Sequence, residues 1–440
     1  MLENKKFGVF GLGISGIATL KYLKHRNINF IAFDDSQETI KKIQKNYPEF
    51  SNNLVALDQD GWQEIDYLVL SPGIPLYYPN SHPVVQLAKK AKLISDIELL
   101  YLENKNSYFI GITGTNGKST TTSLIGHILQ YNNVNAIVCG NIGNPVLELD
   151  EQLADKVFVI EVSSFQLDLL EQTKFNIALL LNITPDHLDR HGSMNNYIAT
   201  KYKIFNNQNI DDNAIINLSL EHNKISNITT FSELSNDADI VVNNNQLSYQ
   251  NKNYQLPKNN SLLGGHNQQN LAAAIICCLK YGLSIEKIIE AIPSFVGLKH
   301  RMQYLGEING VTFVNDSKAT NADSTEKALA SFENIIWIAG GVSKEGGIDS
   351  LKPYFPKVKK ALLIGKAAEE FSKTCENLLA YSICNNLANA FKLACEQANP
   401  GDVILLSPAC ASYDQWKSFE ERGEGFIQLF KQFQELKLVK

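Results

Sequence analysis

The chain contains no run of about 18 consecutive apolar residues, the length a membrane-spanning helix needs, so no spanning segment is expected. It also lacks any C-x-x-C pair and any histidine at zinc-finger spacing. Its seven cysteines, at 139, 277, 278, 375, 384, 395 and 410, form an odd, scattered set that reads as reduced, mostly buried thiols of a cytoplasmic protein. An excess of positive charge is missing as well. Forty Lys and Arg against 46 Asp and Glu give a formal net charge of −6, which asks for neither nucleic acid nor an anionic membrane as partner. Small anions must then be met by local sites. A secretory leader could be imitated by Lys5 and Lys6 ahead of the apolar Phe7 to Leu20. Glu3, the four glycines inside that run and the lack of an A-x-A cleavage site argue against one.

What is present fits a globular protein of several domains. At 440 residues the chain exceeds a single hydrophobic core and suggests domains of roughly 100–200 residues each. The clearest local signal lies around residue 115. An apolar run from Ser107 to Ile112 reads as a buried strand, a turn containing Gly114 and Gly117 follows, and Lys118 opens a helical pattern through Leu124, Ile125 and Leu129. This is a phosphate cradle. The glycines let backbone N–H groups approach an anion, Lys118 brings a charge to the outer phosphates, Ser119 offers a hydroxyl to Mg²⁺, and the helix N-terminus adds its dipole. The strict G-x-x-x-x-G-K-[ST] pattern fails, because its first position falls on Ile112 with Gly111 one residue too early. The alternative is an ordinary strand-to-helix turn with a surface lysine, in which G-K-S-T has little structural reason to stand.

A second glycine loop lies at the N-terminus. The strand Phe7–Phe10 runs into Gly11-Leu-Gly-Ile-Ser-Gly16, a helix follows from Ile17 to about His25, and a strand from Ile28 to Phe33 ends on Asp34 and Asp35. This is a dinucleotide fingerprint in its proper context, with an acid placed for a ribose hydroxyl. The motif recognises a diphosphate and a ribose, which UDP presents as well as NAD. A glycine-tightened turn binding nothing is the alternative. Prolines at 72, 75, 79 and 83 make the stretch after the strand Tyr67–Leu70 a stiff surface loop, either part of a ligand site at the strand's end or a rigid connector.

A helical pattern from Val84 through Leu102 then carries the chain into the phosphate-loop region. Strands at Ala136–Cys139, Val157–Val162 and Ile177–Ile183 are followed by Asn141, by Glu161 to Gln166, and by Thr184 to His191. Alternating strands and helices imply a parallel sheet whose strand ends share a rim with the phosphate loop. Glu161, closing an apolar strand there, suits Mg²⁺, which takes one or two carboxylates beside phosphate oxygens; a solvated strand-end acid is the alternative. His187 gains interest from the same rim. Residues 205–260 are Asn-rich with short alternating pieces and read as hairpin decoration. Asn267 and Asn270, before a helix from Leu271 to Leu279, could read an adenine edge or simply cap that helix. After a boundary near Gly297, strands at Val311–Asn315, Ile335–Ala339, Ala361–Ile364 and Val403–Leu406 make a third α/β unit.

Taken in order, Gly114-Thr-Asn-Gly-Lys-Ser-Thr, Glu161-Val-Ser-Ser-Phe-Gln-Leu, Asn182-Ile-Thr-Pro-Asp-His-Leu-Asp-Arg-His, Gly265-His-Asn-Gln-Gln-Asn, Leu298-Lys-His-Arg, Asn315-Asp-Ser-Lys-Ala-Thr-Asn and Ser407-Pro-Ala-Cys-Ala-Ser-Tyr-Asp-Gln-Trp resemble the motifs of the Mur ligases over nearly the whole chain. Ser71-Pro-Gly with the last of these resembles the member that adds D-glutamate. The resemblance implies an α/β protein of three domains: a Rossmann-like N-terminal domain over residues 1–100, a central P-loop-type ATPase domain with a parallel sheet over 101–297, and a Rossmann-like C-terminal domain over 298–440. It implies an ATP- and Mg²⁺-dependent, ADP-forming ligase of peptidoglycan precursor synthesis, joining D-glutamate to UDP-N-acetylmuramoyl-L-alanine. A cytoplasmic monomer is expected, with small-molecule partners only.

Residue by residue, the resemblance would give Ile14, Ser15, Asp34, Asp35, Ser36, Ser71, Gly73 and Asn141 to the UDP-linked substrate. It would give Gly114, Thr115, Asn116, Gly117, Lys118, Ser119, Thr120, Asn267, Asn270, Arg301, Asp316 and Lys318 to ATP, with Lys318 facing the transferring phosphate. Ser119 and Glu161 would hold one Mg²⁺ and His187 a second, with Lys201 serving as a carbamate; Lys118, Glu161, His187 and Lys201 would be the catalytic set. Thr320, Lys344, Ser412 and, through its backbone, Phe419 would receive the carboxylates of D-glutamate. Two positions depart from the family pattern: Lys299, where proline is common, and Glu345, where glycine usually follows the lysine. With substrates met by three domains, closure of the C-terminal domain on the centre is expected. Three rivals stand beside this reading. A nicotinamide-dependent oxidoreductase would leave Lys118, Glu161 and the third domain idle. A non-catalytic nucleotide-binding regulator needs neither the proline-rich loop nor Ser407 to Ser412. A sibling ligase adding another amino acid is not excluded by composition or periodicity.

Overall fold

The computed structural model describes residues 2–438 apart from 144, 149–155, 223, 224, 226, 263 and 345. Glu345 therefore lies outside the described residues. The chain forms two compact units, Met1–Pro257 with Gln268–Ile292, and Lys258–Asn267 with Pro293–Lys440.

The first unit opens with a wholly parallel sheet. Strands β1 (Lys6–Phe10), β2 (Asn29–Phe33), β3 (Tyr67–Leu70) and β4 (Lys92–Ile94) lie in the order β2-β1-β3-β4, with helices α1 (Ile14–His25) and α2 (Gln37–Asn46) in the crossovers. The chain leaves β1 toward one edge and β3 toward the other. The crevice between the C-terminal ends of β1 and β3 is thus the switch point where ligands of such sheets bind. The single helix expected over Val84–Leu102 is instead α3 (Pro83–Leu87), β4 and α4 (Asp96–Glu103). Leu93 and Ile94 pair with Leu68 and Val69, and Ser95 caps α4 by accepting the N–H of Glu98 at 3.2 Å. Edge pairing overrides a helical apolar spacing here, and the Ser95-x-x-Glu98 cap is its sequence mark.

α4 joins this sheet to the next. Its Ile97, Leu99 and Leu100 share one core with Val9 and Val69 of the first sheet and Phe109, Phe158 and Ile160 of the second. The second sheet has nine strands: β5 (Tyr108–Thr113), β6 (Ala136–Gly140), β7 (Val157–Glu161), β8 (Ile177–Leu180), β9 (Asn213–Asn217), β10 (Ile228–Ser232), β11 (Ile240–Asn243), β12 (Gln246–Tyr249) and β13 (Lys252–Gln255). Their order is β13-β12-β11-β10-β9-β8-β5-β7-β6, parallel from β6 through β11. The Asn-rich stretch is therefore only partly hairpin: β9, β10 and β11 extend the parallel sheet, and β11-β12-β13 alone form an antiparallel meander. Every residue of β7 and β8 is buried, as strands covered on both faces require. Helices α5 (Lys118–Tyr131), α6 (Ser164–Leu167), α7 (Leu188–His191), α8 (Met194–Tyr202) and α9 (Gly265–Tyr281) follow the strands. α9 starts six residues before the expected Leu271. Asn270 is therefore inside the helix and not at its N-terminus.

The second unit carries a six-stranded sheet of β14 (Gln303–Ile308), β15 (Val311–Asn315), β16 (Ile335–Gly340), β17 (Val358–Ile364), β18 (Tyr381–Asn385) and β19 (Val403–Leu406), ordered β14-β15-β19-β16-β17-β18. Only β14, an antiparallel edge strand, departs from parallel pairing. β14 and β18, absent from the sequence expectation, are edge strands with broken burial patterns, so neither shows a continuous apolar run. Because β19 lies between β15 and β16, the loops after these three strands emerge side by side. α10 (Phe419–Leu438) closes the described chain.

Candidate active site

At the switch point of the first sheet the glycine loop is drawn tight. A Cβ on Gly16 would sit 2.1 Å from the carbonyl of Gly11, so the third glycine of the fingerprint is required for helix and strand to approach. Ser71 Oγ donates to that same carbonyl at 2.6 Å, tying the proline-rich loop to the glycine loop. Asp34, one of the two acids expected near a ribose, is committed elsewhere: Oδ2 accepts the N–H of Leu12 at 2.6 Å and Oδ1 that of Ser36 at 2.8 Å. Asp35 points outward, 62% exposed, and Ile14 stands exposed at the loop's tip. Ser15 and Ser71 line a small recess that also touches the buried Asp96, whose carboxyl burial pushes up from the usual range. The carbonyl of Gly73 accepts from Arg190 at 2.9 Å, and that guanidinium lies 4.7 Å from the ring of Phe165.

The phosphate loop joins β5 to α5. Gly117 precedes the helix at φ +82°, and a Cβ there would lie 2.1 Å from Asn270 Oδ1. The loop is braced from the strand beside it: Thr115 N–H donates to the Asn182 carbonyl at 2.9 Å and Asn116 N–H to Asn182 Oδ1 at 2.8 Å. The hydroxyls of Thr115 and Tyr197 are 3.0 Å apart. Ser119 is buried at the helix start. Lys118 folds over its own loop, its Nζ donating to the carbonyls of Gly114 and Thr115 at 2.8 Å each.

Lys201, 1% exposed, donates to the same Gly114 carbonyl at 2.8 Å. Burial first, and then the charge of Lys118, bring its ammonium down to about 6, against the opposing pull of Asp186 and Glu161. Burial thus favours the neutral amine over the ammonium. Glu161 is equally buried, with Oε1 accepting from Asn141 Nδ2 at 2.9 Å and Oε2 without a hydrogen-bond partner among the described residues. An unpartnered carboxylate oxygen beside a phosphate cradle suits a hard cation. Among the described residues no cluster of three or more His, Cys, Asp and Glu could hold a metal, so such an ion would complete its shell with phosphate oxygens. His187 is half-exposed with φ +51°, its Nε2 3.4 Å from Asp186 Oδ2. The imidazole beside it, His191, is buried, lies 3.0 Å from Ser164 Oγ, and is lowered by that burial.

In the second unit the three adjacent loops carry Asp316, Lys318, Thr320, Lys344 and Ser412, while Asn267 lies in α9 and Arg301 just before β14. Asp316 is buried, its Oδ1 accepting the N–H of Met302 at 3.0 Å and Oδ2 the hydroxyl of Ser407 at 2.7 Å; burial pushes it up to about 7. Lys318 lies 5.0 Å over the ring of Phe419. Phe419 begins α10, where helix N–H groups lack intrahelical acceptors, and its carbonyl accepts from Ser317 Oγ at 2.8 Å. Ser412 is buried and Lys344 exposed. Lys299 pairs with the carboxylate of Glu424, which also lies 3.3 Å from His300 Nε2.

The substrate, metal and phosphate candidates Ile14 to Lys201 and Asn270 thus belong to the first unit. Asn267, Arg301, Asp316, Lys318 and the four D-glutamate candidates belong to the second. Sequence reasoning missed Tyr197, Arg190 and the buried Arg422. The Arg422 guanidinium donates to the carbonyls of Ser317 and Cys410 at 2.9 and 3.0 Å and to Ser317 Oγ at 3.0 Å, spanning the loops after β15 and β19. Nothing in an Arg within an amphipathic helix announces that role. His82 was missed too, although a histidine before Pro83 is a readable helix start.

Comparison with known proteins places these arrangements. UDP-N-acetylmuramoylalanine--D-glutamate ligase of Rickettsia prowazekii is 44% identical over 98% of this chain and 98% of its own length. The chain belongs to the Mur ligase family. The corresponding ligase of Wolbachia pipientis wMel is 42% identical over 98% of this chain and 97% of its own. The MurD-like N-terminal domain of Mur ligases matches residues 5–94, the Mur ligase middle domain 112–278, and the Mur ligase glutamate ligase domain 300–410. Among solved structures, the MurF ligase of Thermotoga maritima in complex with ADP is similar with a TM-score of 0.62 at 16% identity, covering 97% of this chain and 94% of that one. The UDP-N-acetylmuramate-alanine ligase MurC of the same organism gives 0.60 at 16% identity, covering 98% and 100%. These two share the three-domain Mur ligase fold with this chain. No helix among the described residues is long and apolar enough to cross a membrane.

Proposed function

We propose that this Mur ligase joins D-glutamate to UDP-N-acetylmuramoyl-L-alanine at the expense of ATP, releasing ADP and phosphate, in peptidoglycan precursor synthesis. It would act as a cytoplasmic monomer, with domain limits at 1–100, 101–297 and 298–440. The observation that carries the reading is the convergence at the end of β5. Lys118 and Lys201 meet on the Gly114 carbonyl, and the rim they share carries the buried Glu161 with an open oxygen.

A carboxylate is a poor electrophile and must be activated before an amine can attack it. Attack of the alanyl carboxylate oxygen on the γ-phosphorus forms one P–O bond and breaks the bridging P–O bond to ADP, giving an acyl phosphate. The N–H groups at the start of α5 and the Lys118 ammonium would bind the phosphates, while the N–H groups of Thr115 and Asn116 stay with Asn182. When Lys118 swings from its loop carbonyls to a phosphate, it frees the Gly114 carbonyl that Lys201 shares. Glu161 and Ser119 would hold Mg²⁺, with His187 and a carbamylated Lys201 at a second; the ions would neutralise charge on the phosphoryl oxygens. The low basicity of Lys201 favours the carbamate, because only a neutral amine attacks CO₂. The D-glutamate amine then attacks the acyl carbon, phosphate leaves, and the nitrogen gives up a proton, for which His187 is a candidate acceptor. Ser412, Lys344, Thr320 and the Phe419 N–H would receive the two carboxylates.

Phosphate release with Mg²⁺, ATP and UDP-N-acetylmuramoyl-L-alanine tests the proposal against four acceptors: D-glutamate, L-glutamate, L-alanine and a diamino acid. Release with D-glutamate alone is expected. Release with another acceptor would keep the chemistry and reassign Thr320, Lys344 and Ser412. No release with any would return the chain to a nucleotide-binding role.

A further inference from the structure

Two acids end β2, and their surroundings divide their work. Asp34 spends both oxygens on the backbone of its own crevice. Among the described residues Asp35 makes one hydrogen bond, between Oδ2 and His82 Nε2 at 2.8 Å, and its other oxygen makes none. His82 arrives from the proline-rich loop, 47 residues away, with its side chain only 14% exposed and its ring 4.6 Å from that of Phe10. Its Nδ1 accepts the N–H of Val84 at 3.2 Å, capping α3. A ring nitrogen that accepts carries no proton, so the neutral ring holds its proton on Nε2 and donates it to Asp35. The helix cap thereby fixes the tautomer.

We propose that His82 is a positioning residue for substrate recognition, holding Asp35 so that its free oxygen accepts a hydrogen bond from the uridine end of the UDP-linked substrate. The inference rests on the assignment of this crevice to the UDP group. An exposed aspartate samples several rotamers and must lose them on binding; a buried donor aimed at one oxygen takes that loss in advance. Two donors of uridine suit the free oxygen, a ribose hydroxyl and the imide N–H of uracil. A carboxylate discriminates against ligand edges that present acceptors instead.

Two substitutions separate recognition from mere helix capping. In His82→Asn the shorter side chain keeps the cap on Val84 and loses Asp35. In His82→Gln the longer one reaches Asp35 and loses the cap. H82N is expected to raise the KM for UDP-N-acetylmuramoyl-L-alanine about tenfold, the worth of one such hydrogen bond, with the KM values for ATP and D-glutamate and kcat unchanged. H82Q should restore that KM, and H82N should add nothing in an Asp35→Asn background. Loss in H82Q equal to that in H82N, or a general rise in all three KM values with a lowered thermal midpoint, would overturn the role of His82. If D35N raises the substrate KM and H82N does not, only the His82 inference falls. If neither changes it while ligation proceeds, the UDP assignment of the crevice falls with it. Substrates lacking the ribose 2′-hydroxyl or methylated at uracil N3 identify the donor: the D35N penalty vanishes with the analogue that lacks it.

Discussion

Gly117 shows how one missing side chain holds a site together. Its φ of +82° disfavours any L-residue, and the space a Cβ would take is filled by Asn270 Oδ1 at 2.1 Å. Asn270 comes from α9 and also accepts from Thr121 Oγ1 at 3.3 Å, so the loop and that helix are set against each other by this contact. Gly117→Ala is expected to displace Asn270 and raise the KM for ATP at least about tenfold while the fold survives; ATP titration of the variant is the measurement. An unchanged KM would show that the loop slides past Asn270 without cost. Asp316 gives a second expectation, on pH. Its carboxyl is near 3.8 when unfolded and about 7 when buried. Between those values the folded state keeps a proton that the unfolded state has released, so this group makes stability fall as pH rises from about 4 to about 7 and adds no further slope above. Asp316→Asn should remove that component. The urea midpoints at pH 5 and pH 8 should lie closer together in the variant than in the parent, and an unaltered difference would mean that Asp316 is already ionised at pH 5.

At the scale of elements, α4 does more than connect. Glu98, wholly buried, accepts the N–H groups of Glu171, Gln172 and Thr173 at 3.2, 2.8 and 3.0 Å, fastening the helix to the loop that leads into β8. Three charge-assisted bonds to a buried carboxylate are worth more than a surface ion pair. Glu98→Gln turns an acceptor into an NH₂ facing N–H groups and is expected to cost about 3 kcal/mol. Denaturant melts would show it, and a loss below about 1 kcal/mol would mean that water or a shifted loop satisfies those N–H groups. This element was the one most misread from the sequence. The apolar spacing of Val84, Leu87, Leu93, Ile97 and Leu100 is helical on paper. Lys92–Ile94 became a strand because the open edge of β3 offered hydrogen-bond partners, and no local pattern records an open edge.

For the molecule as a whole, the sequence determined what depends on near neighbours in the chain. The two glycine loops are legible because each needs small residues, a strand and a helix start within a dozen positions. The strands β1, β3, β15 and β19 are legible because burial on both faces demands a continuous apolar run. The ordered motifs from Gly114 to Trp416 carried the family, and the full-length relatives bear that out. Tertiary structure alone decided what depends on distance. It set the lysines at 118 and 201 on one carbonyl, left Glu161 with an open oxygen, and turned Asp34 inward while His82 took hold of Asp35. The physical reason is that a hydrogen bond or a desolvated charge is set by what surrounds an atom in space, and strands far apart in the chain supply those surroundings only once they share a sheet.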